Sequence, residues 1–244
     1  MLVLLAVAGW QLTRSDNAQN ATPLFAGVAS STGAENAFAS AFAGTEATSS
    51  DSAATSTLGS AVMSQLENAY LQLQTTGTNS SSSVEAAGAS LVPYVSATIQ
   101  YPSFSAADVR TDPDTSYTRM LAYRSDLRTS LAPLLQNKEP EFEIFAYYVE
   151  TKDATYLVKL RDVAASYRAA ASSTARVVVP SDAVAVQVGM LNAMEEFSAT
   201  LDQMATHAQD PFASAALLEN YNAAENDVIS AFNDLATYSK SKTP

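Results

Sequence analysis

Between Ser181 and His207 apolar residues recur at helical spacing for about seven turns, a pattern that suits a helix buried among other helices and little else. Val186, Met190, Ala193, Phe197, Leu201 and Met204 fall on one stripe, and Val184, Val188 and Leu191 widen the apolar arc over the first turns. An arc that wide predicts cover from more than one side, which is the position of a central bundle helix. Pro180 blocks upstream continuation, Ser181 or Asp182 offers an acceptor to the first-turn amides, and the stripe fades toward Thr206-His207.

The chain after Asp114 supplies the neighbours such a helix needs. Thr115 or Ser116 opens a helix predicted to run through Asn137, with Tyr117, Leu121, Leu127, Leu131 and Leu135 inside and a kink at Pro133. Glu139-Pro140-Glu141 starts the next, with proline in the first turn, carboxylates at the positive end of the helix dipole, and Phe142, Phe145, Tyr148 and Val149 toward the core. Asp153 caps a third, whose inner face carries Tyr156, Leu157, Leu160, Ala164 and Tyr167 and which ends near Ala175. After the central helix, Asp210-Pro211 repeats the cap-plus-proline device and Leu217, Tyr221, Ala224, Val228, Phe232 and Leu235 form a last stripe. Short connections between long amphipathic helices imply antiparallel neighbours. The fold class expected is therefore all-α, an antiparallel bundle of about five helices over residues 115–240.

The first half reads differently. Met1–Leu12 is apolar and uncharged and contains Trp10, yet as a helix it spans only about 18 Å against a hydrocarbon thickness of roughly 30 Å. Three readings stay open: part of a membrane anchor, a short signal-peptide core, or an apolar end that packs on the domain. With the polar flank, residues 1–14 are expected to form a hydrophobic membrane segment or signal remnant. Residues 15–56, rich in Ala, Ser, Thr, Asn and Gly, are expected to be a linker, since so few apolar side chains hardly offset the entropy of ordering. Residues 57–114 read as a helix over Gly59–Leu73, a serine-rich interruption, an extended segment near Val92–Tyr101 lying across the bundle without a partner strand, and turns from Ser103 to Asp114. Within those turns Ser105-Ala-Ala-Asp108 has the form of a capping box.

The residue inventory limits the chemistry. With no cysteine there are no disulfides, thiolate ligands or cysteine nucleophile, and a single histidine excludes His-rich zinc sites and the paired Glu-x-x-His of di-iron bundles. A net charge of -12 argues against nucleic acid, whose binding needs a concentrated basic face. No phosphate loop, dinucleotide fingerprint, calcium loop or HExxH occurs. No catalytic residue, metal ligand or cofactor is assigned, and the chain is read as a non-enzyme.

Arg124 and Arg128 stand out because the wheel that puts Tyr117, Leu121 and Leu131 inside also puts these guanidinium groups in the apolar arc. A charge there is paired, reaches out to water, or faces a cavity. The plain expectation is an interhelical ion pair of Arg124 with Glu195, which lies beside Val188 and Leu191. The alternative is an anion or carboxylate pocket of Arg124 and Arg128 with Arg161 and Arg168. Glu139, Glu141 and Glu143 are explained by first-turn capping, His207 by a helix end, and the many tyrosines by core packing with bonded hydroxyls.

Tyr117-Thr-Arg-Met-Leu-Ala-Tyr-Arg-Ser-Asp-Leu-Arg128, Glu139 to Glu150, Arg176-Val-Val-Val-Pro180 and Asp210-Pro-Phe-Ala-Ser214 resemble uncharacterised small helical proteins of reduced-genome, candidate-phylum bacteria. The resemblance covers about half the chain and implies an N-terminal membrane segment, a polar connector and an extracytoplasmic bundle, with no activity to carry over. Together these readings predict a membrane-tethered structural or protein-interaction module of the cell envelope, with a protein partner. The alternative is a bundle that senses a small molecule or anion.

Overall fold

The computed structural model describes residues 56–75 and 97–242, so the apolar start at 1–14, nearly all of the linker at 15–56 and the stretch 76–96 lie outside the described residues. What is described is all-α with one short pair of strands. Among the described residues there are six α-helices: α1 (Thr57–Thr75), α2 (Tyr117–Ser130), α3 (Glu141–Thr151), α4 (Thr155–Thr174), α5 (Val184–His207) and α6 (Pro211–Ser241). The last five make up the expected bundle. No helix among the described residues is long and apolar enough to cross a membrane.

Helix α5 is central, packed along α4 on one side and α6 on the other. Its stripe faces where the periodicity placed it: Met190, Leu191, Phe197, Leu201 and Met204 are almost completely buried. The chain reverses from α5 into α6 at Asp210, whose carboxylate accepts from the amides of Phe212 (3.0 Å) and Ala213 (3.1 Å), with Pro211 at the first helical position. Every residue of the stripe assigned to α6, from Leu217 to Leu235, is buried.

Two expectations are corrected in α2 and one in α3. The helix stops at Ser130 and passes into a 3-10 turn over Ala132–Gln136 with Pro133 near its start, rather than kinking and continuing to Asn137. The inward face also differs in part: Leu127 and Leu131 are buried as expected and Met120, Tyr123 and Ser130 join them, while Tyr117, Leu121 and Leu135 are exposed. The reason is a buried polar chain that fixes the rotation of the helix. Tyr123 Oη donates to Gln187 Oε1 (2.7 Å), Gln187 Nε2 donates to the Thr174 carbonyl (2.7 Å), and Ser130 Oγ lies 2.9 Å from Thr174 Oγ1. Presenting Tyr117 inward would break that chain and strand its members without partners. In α3 Phe142, expected toward the core, is exposed, and Ile144 is in the core with Phe145 and Tyr148.

A parallel two-stranded pair links β1 (Arg110–Asp112) to β2 (Val178–Pro180), in a region where the sequence showed only turns and an Arg-Val-Val-Val-Pro run. Arg119 secures it, donating from Nε to Asp112 (2.8 Å) and from Nη2 to the Val178 carbonyl (2.6 Å). The Ser105–Asp108 capping box forms as the sequence indicated.

Helix α1 docks on α6 through a close approach at Gly59. The buried Asp210 carboxylate that caps α6 also accepts from the Ser56 amide (2.7 Å) and hydroxyl (2.6 Å). One side chain thus serves two helix starts, and α1 begins beside the start of α6. Burial works against its ionisation, but the bonds from Ser56, Ala213 and Phe212 outweigh that and hold its pKa below the ordinary carboxylate value.

Candidate functional site

Residues 97–104 form an extended strap over the seam between α5 and α6, of which 97–101 belong to the extended segment expected at Val92–Tyr101, and the way it is held marks the site. Ala97, Ile99, Tyr101 and Phe104 turn toward the bundle, while Thr98, Gln100, Pro102 and Ser103 are exposed. At one end, Asn220 of α6 accepts from the Ala97 amide (2.8 Å) and donates to the Ala97 carbonyl (2.9 Å). At the other, Asn192 of α5 accepts from the Phe104 amide (2.6 Å) and donates to the Phe104 carbonyl (3.1 Å). A carboxamide has one acceptor and two donors, so it can satisfy both polar groups of one backbone residue without reading its side chain. Between these two clamps Tyr101 Oη donates to Glu196 Oε2 (3.0 Å). Burial first, then the hydrogen bond and charge of Glu196, raises the Tyr101 pKa, so the phenol stays protonated as donor.

An open groove of about 250 Å³ continues along the same seam, lined by Gly189, Asn192, Glu196, Asp227, Ser230 and Asp234 among others. Its rim is acidic and its floor is made of small side chains, which leaves room for backbone to lie close.

A second polar cluster sits where α3, α4 and α6 meet. Tyr167 Oη donates to Glu141 (3.2 Å) and Tyr221 Oη donates to Glu225 (3.2 Å), with the Phe197 ring between the two tyrosines at 4.8 and 5.3 Å from their centroids. Burial raises the pKa of Tyr167 and Tyr221 well above the usual phenol value, and burial also raises that of Glu225, with the nearby Glu141 charge adding to it. These groups are hydrogen-bonded to one another, and the cluster reads as core support. Among the described residues no set of three or more His, Cys, Asp or Glu side chains is placed to hold a metal.

The arginines singled out from the sequence are dispersed. Arg161 donates to the Ala205 carbonyl near the end of α5 (3.1 Å), and Arg168 pairs with Asp202. Arg128 is exposed on α2 two residues before Ser130, which meets Thr174 at the opposite end of α4 from Arg161. Those thirteen positions of helix amount to about 20 Å, so Arg161 and Arg128 do not share a pocket. Arg124 is half-buried and engaged in a contact of its own. Glu195 is buried; desolvation raises its pKa, and the cation that counteracts this is Arg168. His207 occupies the last turn of α5, where its carbonyl accepts from Ser214 Oγ (3.2 Å), and Glu139 pairs with Lys159 (3.0 Å).

Asn192 and Asn220 carried no motif. The available signal was their position: polar amides on helix faces otherwise flanked by Leu191, Ala193, Leu217 and Tyr221. No family model, no curated protein and no solved structure matches the chain.

Proposed function

We propose that the chain is a non-enzymatic, membrane-tethered helical module displayed outside the cytoplasmic membrane, serving as a structural or protein-interaction component of the cell envelope. The observation that carries the interaction part is on α2. Tyr117 and Leu121, one turn apart, are 38% and 42% exposed while Met120, Tyr123 and Leu127 fill the core from the other side. Tyr117 and Leu121 form a small apolar patch on the solvent side of α2, beside polar Thr118, Ser125 and Arg128, that another macromolecule can cover. Exposed Tyr147, stacked on Tyr156 at 5.5 Å, adds aromatic surface on α3 and α4. The tether rests on the uncharged, largely apolar run at Met1–Leu12 and on the resemblance to anchored helical proteins.

The test is fractionation of the full-length chain with its native start, expressed in a bacterium. The proposal expects recovery with alkali-washed membranes, digestion by protease added outside spheroplasts, and release on deletion of residues 1–12. Recovery in the soluble cytoplasm rejects the tether. A photo-crosslinking residue at Leu121 is expected to capture a defined envelope protein that the same residue at Asp126, exposed but well round the helix from Leu121, does not; identical products from both positions reject the α2 face.

A further inference from the structure

We infer that the α5/α6 seam is a binding site for an extended polypeptide, filled in cis by residues 97–104 and able to accept the same segment from a second copy of the chain. The inference concerns a different face from α2 and does not depend on the membrane tether, so the two stand or fall separately.

The strap already shows what the site recognises. Four of its five specific hydrogen bonds run between the Asn192 and Asn220 carboxamides and the backbone of Ala97 and Phe104. The fifth is the Tyr101 phenol on Glu196. Backbone pairing at the ends with alternate side chains seated between them is the arrangement by which a protein holds an extended peptide, affinity coming from the main chain and selectivity from the pockets. Here, however, the main-chain partners are side-chain amides of two helices rather than a sheet edge. Nothing in this arrangement requires the strap to be covalently continuous with the helices that hold it.

Three features favour exchange. The strap is shallow, with only Ala97 buried and Ile99, Tyr101 and Phe104 half-buried. Downstream the turn Ala106–Asp108 stays in contact with α5 but buries no side chain, so little apolar burial holds it there. Upstream, twenty-one residues separate the end of α1 from Ala97, enough chain to reach a neighbouring molecule without moving α1, since that length spans up to about 70 Å when extended. The occupant is a second copy because its residues 97–104 are the sequence that fits the register, with apolar or aromatic side chains first, third, fifth and eighth.

The probe is the acetylated, amidated and fluorescently labelled peptide Ala-Thr-Ile-Gln-Tyr-Pro-Ser-Phe, added to the full chain. In Phe104→Pro the strap loses the N–H that pairs with Asn192 while the seam is untouched. The peptide should bind this variant at least about tenfold more tightly than wild type, because a tethered competitor has been loosened. Adding Asn192→Ala and Asn220→Ala should abolish that binding. Equal binding by wild type and Phe104→Pro, or binding retained without the asparagines, overturns the inference. A peptide with proline at its last position checks the same point without altering the protein: it should fail to bind where the parent peptide binds, and equal behaviour of the two peptides overturns it. For the trans occupant, copies carrying two different tags should co-purify after joint concentration and dilution, with excess parent peptide preventing it. Failure to co-purify, or co-purification indifferent to the peptide, rejects the second copy.

Discussion

Substituting Gly59 by alanine sets helix propensity against the packing of α1 on Asp210. In an ordinary helix interior Gly→Ala stabilises by about 1 kcal/mol. At Gly59 an added Cβ would overlap the Asp210 carboxylate, with its Cγ only 2.7 Å away. That carboxylate cannot swing aside cheaply, because it accepts from Ser56 N, Ser56 Oγ, Phe212 N and Ala213 N at 2.6 to 3.1 Å. Losing the cap on α6 costs about 1 kcal/mol. Losing two bonds from Ser56 to a charged acceptor costs about 1.5 kcal/mol each. Against the propensity gain, and with partial relaxation, the net is a destabilisation of about 2 kcal/mol, or a fall of roughly 5 °C in Tm for a domain of this size. Urea unfolding followed by circular dichroism measures the total, and limited proteolysis within α1 shows whether that helix is released first. A Gly59→Ala protein more stable than wild type would refute the close approach and the shared cap together.

Two further perturbations address the polar interior. Tyr123→Phe leaves the Gln187 carbonyl oxygen without its donor in a buried site, so stability should drop by about 1 to 2 kcal/mol with little change in the unfolding m-value. Glu225→Gln keeps an acceptor for Tyr221 while removing a carboxyl whose pKa is raised by burial and by Glu141. A carboxyl with a raised folded pKa penalises the folded state as pH climbs from the ordinary carboxylate range through the raised value. The Gln variant should therefore match wild type in acid and exceed it at neutral pH, by less than about 1 kcal/mol because Glu225 is only half-buried and screened. Paired melting curves across that range check the sign.

The parts of this fold legible in the sequence are those where one interaction type dominates. Along α5 and α6 the apolar period alone determines orientation, and Met190, Phe197, Leu217 and Val228 are buried as their spacing requires. Asp210-Pro211 and Ser105–Asp108 were readable because a cap needs only its own few residues. In α2 the apolar residues are spread around the helix, and its rotation was decided by the distant Gln187 and Thr174. The wheel therefore placed Tyr117 and Leu121 inside. It also drew attention to Arg124 and Arg128, whose prominence depended on that rotation. The seam was illegible for a similar reason: Asn192 and Asn220 acquire their role only when Phe104 and Ala97, 88 and 123 residues away respectively, are laid across them. A lone asparagine in a helix carries no such message in its neighbours.

The claim that the seam grips an extended backbone at two points is tested most directly by hydrogen exchange at the Ala97 and Phe104 amides in the full chain. Both amides should be protected in the wild type, Asn192→Ala should lose protection at Phe104 while Ala97 keeps it, and Asn220→Ala should do the reverse. Exchange at both amides as fast as in an unfolded peptide, or protection indifferent to the two asparagines, would contradict it.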